Sequence, residues 1–299
     1  MEINIPVLNI PRVVIVGGGF GGIELAKKLA HKPVQVVLID KNNYHTFQPL
    51  LYQVATAGLE PDSIAFPLRK IFKKQKNFYF RMACVDRVIP EKNILITSIG
   101  EVHFDYLVLA TGSTTNFFGD KNLENLSMGM KSIPDALNIR SLMLQNFEQA
   151  LLTSSIKERE GLMSVAIVGG GPTGVEMAGA IAELKNHILP IDYPELDIRK
   201  MQIHLIEAGP RVLASFSEKA SLKTGEFLKK MGVTVWTNTR VKDFDGHILK
   251  TTQQRAIEAN TVFWAAGVSG NGIMGFDPNI ITKENRIQVD EFNKVKGNE

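Results

Sequence analysis

With 299 residues, 44% of them apolar and 22% charged, the chain is long enough for two domains with separate cores and too hydrophobic to be disordered. A net charge of +3, with no basic helix interleaved with aromatics, excludes a nucleic-acid binder. No apolar run reaches the roughly 18 to 20 residues of a membrane span, and MEINIPVLNIPR at the start lacks the features of a signal peptide, so the chain itself is expected to be soluble and cytoplasmic.

The single cysteine, Cys84, rules out an intramolecular disulfide, a redox-active cysteine pair and the usual structural zinc set, so no metal is expected. Inside FRMACVDRVI it reads as a small buried strand residue.

In chain order, residues 12–30 (RVVIVGGGFGGIELAKKLA) read as a β-branched strand, a glycine turn and a helix with Ile23, Leu25, Ala26 and Leu29 at helical spacing. VQVVLID follows as a buried strand ending on Asp40. Residues 42–72 form a long excursion, with a helix expected from Pro61–Asp62 to Phe72 and a solvated face carrying Lys70, Lys73, Lys74 and Lys76. FDYLVLATG (104–112) is a strand stopping on a small-residue turn, and residues 113–135, rich in turn formers, mark a seam.

Beyond the seam the plan recurs. SVAIVGGGPTGVEMAGAIAEL (164–184) is strand, glycine turn and helix, with Val175, Ala178, Ile181 and Ala182 spaced on one face. After the insertion HILPIDYPELDIRK (187–200), MQIHLIEA supplies a strand ending on Glu207, and NTVFWAAG (260–267) again stops on a small-residue turn. Trp236 and Trp264 read as core or strand residues. The fold class is therefore α/β, with two tandem Rossmann-like domains in the two-dinucleotide-binding arrangement of pyridine nucleotide-disulfide reductases. The expected division is 1–120 for the first domain, 121–270 for the second, and 271–299 for the start of a return to the first.

Gly17-x-Gly19-x-x-Gly22 and Gly169-x-Gly171-x-x-Gly174 both match the dinucleotide fingerprint. The first glycine permits the tight turn, the second lets a pyrophosphate approach the backbone, and the third lets the helix pack on its strand. The helix N-terminus offers free N–H groups and a partial positive charge. Asp40 and Glu207 stand where a carboxylate accepts from an adenosine ribose, and Glu207 favours NADH over NADPH by repelling a 2′-phosphate. Arg211, a turn further on, is placed to relieve that repulsion. Two dinucleotide sites in one chain point to an electron relay from a nicotinamide to a flavin, with the excursion marking the first copy as the flavin half.

NNYHTFQPLLYQVATAGLEPDSIAFPLR (42–69) resembles the signature of type II NADH dehydrogenases, the single-subunit NADH:quinone oxidoreductases. FDYLVLATGSTTNFFG (104–119), VAIVGGGPTGVEMAGAIAEL (165–184), HLIEAGPRVL (204–213) and NTVFWAAGV (260–268) resemble the same family in the same order. The resemblance assigns FAD to Gly17, Gly19, Phe20, Gly22, Asp40 and Lys41, with the flavin ring against Gln48, Pro49 and the Ala110-Thr111-Gly112 turn. It assigns NADH to Gly169, Gly171, Pro172, Thr173, Gly174 and Glu207, with Ala266 and Gly267 near the nicotinamide. It also implies a ubiquinone or menaquinone acceptor, peripheral attachment to the cytoplasmic face of the bacterial inner membrane, and a homodimer.

Family members continue past the equivalent of NRIQVDEFNKVKGNE into an Asp-containing flavin-binding strand, a quinone-lining segment and amphipathic membrane helices. The chain is therefore expected to be a C-terminally truncated member.

Glu176 lies two residues past the third glycine, in what reads as the first turn of the second helix. Either it complements the helix dipole or, as the resemblance implies, it stands beside the nicotinamide and flavin. His45, with Tyr44 in the excursion, reads as a structural hydrogen-bonder or a catalyst. Disulfide reductases and sulfide:quinone reductases need more cysteines than Cys84. A ferredoxin reductase, a soluble NADH oxidase and an NAD(H)-binding remnant without flavin turnover remain as alternatives, against which QPLLYQVAT argues for quinone.

Overall fold

Strand β1 (Arg12–Val16) is almost wholly buried because both of its faces are covered. It pairs in parallel with β2 (Gln35–Asp40), aligning Val13 with Val36 and Ile15 with Leu38. Val13, Ile15, Val36 and Leu38 face Ile23 and Ala26 of helix α1 (Phe20–Lys28), together with Leu68 and Phe72. The alternate residues Val14, Val16, Val37 and Ile39 face Val88, Leu95 and Val102 of a three-stranded antiparallel meander. Each fully buried aliphatic side chain of this kind stabilises the fold by about 1.5–3 kcal/mol. With β3 (Phe78–Met82) beside β2 and β4 (Tyr106–Leu109) beside β1, the sheet order is β3-β2-β1-β4.

The chain divides into two compact units in this computed structural model, which describes residues 3–297. The first comprises the residues up to Thr46, Ala65–Thr114 and those from Ser269 onward. The second comprises Phe47–Ile64 and Thr115–Val268, so the tip of the excursion belongs with the second repeat, where a linear division at 120 and 270 would not put it.

The second unit repeats the plan of the first. Its parallel sheet has β5 (Val165–Val168) and β6 (Ile203–Ile206) at the centre, flanked by β7 (Val233–Trp236) and β8 (Thr261–Trp264), in the order β7-β6-β5-β8. A three-stranded meander again covers one face, packing Phe244, Leu249 and Ile257 on Ala166, Val168 and Ile206. Two further helices pack beside helix α2 (Leu51–Ala55): α3 (Ile133–Leu152) and α4 (Pro172–Glu183). Ser132 and Asp135 form a reciprocal capping box that starts α3.

Three sequence expectations need correction. No continuous helix runs from Pro61 to Phe72: a single turn at Pro61–Ser63 is followed by a strand, Ala65–Pro67, and a short helix, Leu68–Ile71. Pro67 restricts Phe66 to extended geometry, and Ala65–Pro67 pairs antiparallel with Tyr44–Thr46. Cys84 is exposed and lies between strands, because Ala83 takes the inward position. Glu176 lies in the second turn of α4, and the first turn contains no acidic residue. Trp236 and Trp264 do end strands, and Trp264 is buried.

Candidate dinucleotide sites

Each fingerprint glycine of the first unit has a separate reason to be glycine. Gly17 has φ +109°, and a Cβ on it would lie 2.2 Å from the Ala110 carbonyl oxygen. A Cβ on Gly22 would lie 1.9 Å from the Gly17 carbonyl oxygen, so α1 approaches its strand only without a side chain there. Gly19 is different: a Cβ on it would meet nothing within 4 Å. Its bare backbone caps α1 without a side-chain hydrogen bond, and no acid occupies the first turn. The helix N-terminus thus presents donors and positive partial charge to open space, an arrangement that fits a pyrophosphate.

Asp40, at the end of β2, is held by two backbone donors. Gly18 N donates to Oδ2 at 2.6 Å and Asn42 N to Oδ1 at 2.7 Å. Lys41 follows on an exposed turn. Ala110 N donates to Val16 O at 2.8 Å, which fixes the Ala110-Thr111-Gly112 turn against the glycine loop, and Gly112 has φ +69°.

The second unit repeats the main features of this geometry. Gly169 has φ +115°, a Cβ on Gly174 would lie 1.9 Å from the Gly169 carbonyl oxygen, and one on Gly171 would meet nothing within 4 Å. Gly170 N donates to Glu207 Oε2 and Gly209 N to Oε1, both at 2.6 Å. Ala265 N donates to Val168 O at 2.7 Å and leads into Ala266 and Gly267. Pro172 takes the first helical position, where its missing N–H costs no intrahelical bond.

A narrow cleft beside this loop is lined by Thr115, Lys131, Thr173, Met177, Trp264 and Gly267. Burial pulls the Lys131 ammonium below its ordinary pKa, and desolvation raises the carboxyl of Glu176 although that residue remains exposed. Gln48, expected beside the flavin ring, lies in the second unit, where its Nε2 donates to the Lys131 carbonyl at 3.1 Å. Pro49 is exposed beside it. Arg211 donates through Nη2 to Ala214 O at 3.0 Å.

Residues 11–298 match the family described as pyridine nucleotide-disulphide oxidoreductase. The Type II NADH:quinone oxidoreductase Ndh of Mycobacterium tuberculosis is 36% identical over 95% of this chain and 62% of its own length. The Type II NADH:quinone oxidoreductase of Haemophilus influenzae is 30% identical over 93% of this chain and 69% of its own. The chain belongs to the type II NADH:quinone oxidoreductase family.

Among solved structures, NDH2 from Plasmodium falciparum in complex with NADH matches 94% of this chain and 60% of that one, with a TM-score of 0.85 at 26% identity. A sulfide:quinone oxidoreductase from Aquifex aeolicus shares the fold at a TM-score of 0.73 and 18% identity. The chain thus spans a little under two thirds of the length of Ndh and of a second Mycobacterium tuberculosis relative, the Type II NADH:quinone oxidoreductase NdhA, 62% and 64% respectively.

Within the type II family frame, some structural partners of the site lie outside every fingerprint. Asn271 clamps the Thr111 turn from both sides: Thr111 Oγ1 donates to Asn271 O and Asn271 Nδ2 donates to Thr111 O, each at 2.8 Å. Trp264 Nε1 donates to Asn116 O at 2.8 Å, and Asn116 N donates to Gly267 O at 3.1 Å, so the Gly267 turn is braced by residues of the seam. A Cβ on Gly267 would lie 2.8 Å from Phe118 Cζ, and Phe118 sits at φ +54°. Nothing in the local sequence marks Asn116 or Asn271, because the partners named here lie far along the chain. Among the described residues there is no group of three or more His, Cys, Asp or Glu side chains able to hold a metal, and no helix long and apolar enough to cross a membrane.

Proposed function

We propose that the first unit binds FAD and the second binds NADH, and that the protein oxidises NADH and reduces a quinone. The observation carrying this reading is the duplicated loop: two glycine turns, each bare at its helix-capping glycine and each tied to a carboxylate at the end of the next strand. Family membership supports the order, with FAD at Gly17, Gly19, Phe20, Gly22, Asp40, Lys41 and the Ala110-Thr111-Gly112 turn. NADH is assigned to Gly169, Gly171, Pro172, Thr173, Gly174, Glu207, Ala266 and Gly267.

Held by the first unit's loop, FAD would supply hydride acceptance from NADH and two-electron donation to a quinone, a balance in which NADH, one proton and quinone would give NAD⁺ and quinol. The chain's own residues bind, orient and exclude water. Helix N-termini and loop amides hold the pyrophosphates, and Asp40 and Glu207 remain able to accept from ribose hydroxyls, since a carboxylate has about four lone-pair sites and two are used by backbone donors in each case. Glu176, with its carboxyl shifted towards the protonated form, is suited to hold or pass a proton beside the nicotinamide.

The quinone, either ubiquinone or menaquinone, the attachment to the cytoplasmic face of the bacterial inner membrane and a homodimeric state are parts of the same reading. The deciding experiment is the visible spectrum of the chain after loading with FAD and desalting, before and after anaerobic NADH. A retained flavin spectrum that bleaches supports the reading. NADH binding without retained flavin rejects the first-unit assignment.

A further inference from the structure

The glycine loops of the two units differ in how the carbonyl of the central glycine is held. In the second unit the Gly170 N–H donates to Glu207, and the Gly170 carbonyl accepts from the backbone N–H of Leu213 at 2.7 Å. Leu213 is preset for this by a left-handed backbone, φ +49°. In the first unit the Gly18 N–H donates to Asp40, but no backbone N–H reaches the carbonyl within the described hydrogen bonds. The imidazole of His45 takes that place, with Nδ1 3.0 Å from Gly18 O.

We propose that His45 is a positioning residue for the pyrophosphate loop of the first unit, its Nδ1–H replacing the backbone donor that Leu213 supplies in the second. The proposal rests on the reading that this loop binds FAD. A carbonyl oxygen only accepts, so Nδ1 carries the hydrogen, and in the neutral ring Nε2 is the bare nitrogen. With the Gly18 N–H tied to Asp40 and its carbonyl tied to His45, the peptide planes on both sides of Gly18 are each held by one bond.

The ring is itself fixed. His45 lies in the short ladder Tyr44–Thr46 with Ala65–Pro67, directly opposite Phe66. Its ring meets Phe20 edge to face, with centroids 4.9 Å apart and planes at 81°. Phe20 is the first residue of α1, the position that Pro172 holds in α4. Proline brings its own fixed φ to that position. Phenylalanine does not, and the His45 ring supplies an external brace instead. The start of the excursion thereby sets the geometry of the loop amides.

Asn and Leu at position 45 provide an isosteric pair, since Asn Nδ2 stands where His Nδ1 stands and Leu puts a methyl there. The chain, stripped of flavin, is titrated with FAD by fluorescence. His45→Leu should weaken FAD binding about ten-fold, the loss of one hydrogen bond that leaves a half-buried carbonyl unpaired. His45→Asn should restore most of it, and NADH affinity should stay unchanged in both. Leu binding FAD as tightly as wild type, or Asn binding as weakly as Leu, overturns the proposal.

Failure of the wild-type chain to bind FAD at all overturns the flavin reading and this proposal with it, a result distinct from either of those. Independently of any variant's folding, ¹⁵N spectra of the histidines in the wild-type chain should show His45 protonated at Nδ1 in its neutral form. A neutral ring bare at Nδ1 overturns the assignment.

Discussion

Asp40 and Glu207 make the same two hydrogen bonds in their respective units, each accepting from the middle glycine of its loop and from the amide two residues beyond itself. The extra methylene of Glu207 is absorbed without lengthening either bond beyond 2.6 Å. Each carboxylate therefore has a structural task, holding the loop, as well as the ribose-binding task proposed for it. Glu207→Gln replaces one acceptor oxygen with an amide donor that must face Gly170 N–H or Gly209 N–H. Loss of a charge-assisted bond is worth about 1.5–3 kcal/mol, so NADH affinity should fall about ten- to a hundred-fold. Calorimetric titration checks this, with FAD affinity unchanged as the internal control. An NADH affinity within about two-fold of wild type contradicts it.

The glycines separate packing from binding. Gly22→Ala drives a methyl to 1.9 Å from a backbone carbonyl, so the first unit should lose at least about 2 kcal/mol of stability in denaturant unfolding. Gly19→Ala adds a methyl where no atom lies within 4 Å, at an ordinary φ of −78°. Its stability should change by no more than about 0.5 kcal/mol while FAD binding weakens, because the methyl occupies the space that the pyrophosphate needs. Unaltered FAD binding in Gly19→Ala would show that the open space is not the cradle.

The parallel sheets and both loops were legible because a strand buried on two faces, a glycine turn and an amphipathic helix each leave a local pattern, and the pattern occurs twice. What braces the loops was not legible. Asn271 on Thr111 and His45 on Gly18 are single polar side chains, and Asn116 holds Gly267 through its main chain, with partners in each case set by tertiary geometry. The excursion misled for a local reason: PDSIAFPLRKIF has helical spacing, but Pro67 and the pairing of Ala65–Pro67 with Tyr44–Thr46 break it. Cys84 misled because its apolar neighbours suggested a continuous strand, where the chain leaves one sheet at Met82 and enters the next at Val85.

Glu176 should couple pH to stability in a definite sense. Its carboxyl is shifted upward by desolvation, so the folded state holds the proton more tightly than the unfolded one. This favours the fold when the carboxyl is protonated and is lost as pH rises through the folded value. Glu176→Gln, which keeps the neutral shape at all pH values, should be at least as stable as wild type at pH 7, and any advantage should vanish in acid. Stopped-flow measurement of flavin reduction should show slower turnover with little change in NADH affinity. A variant with an unchanged rate would leave Glu176 with no part in the chemistry.

His204 offers the sharpest pH test, and it concerns the second unit alone. Burial pushes its pKa down to about 4, and Trp236 Nε1 donates to its Nδ1 at 3.1 Å. An indole N–H is only a donor, so protonating that nitrogen would break the bond and set two donors against each other. The Arg255 guanidinium lies 4.6 Å over the same Trp236 ring. In the unfolded chain the imidazole titrates near its ordinary 6.5. As pH falls from 6.5 towards 4, the unfolded state takes up a proton that the folded state refuses, and stability falls across that window by up to about 3 kcal/mol.

Both tryptophans, Trp236 and Trp264, belong to the second unit, so urea unfolding followed by their fluorescence reports on it. Wild type should lose more stability between pH 7 and pH 4.5, a range chosen to span roughly that window, than His204→Gln does. Carboxylates that titrate over the same range are common to both proteins, so the difference between the two slopes isolates the imidazole. Equal slopes would mean that His204 is solvated well enough to accept its proton in place, and that the Trp236 contact does not hold it neutral.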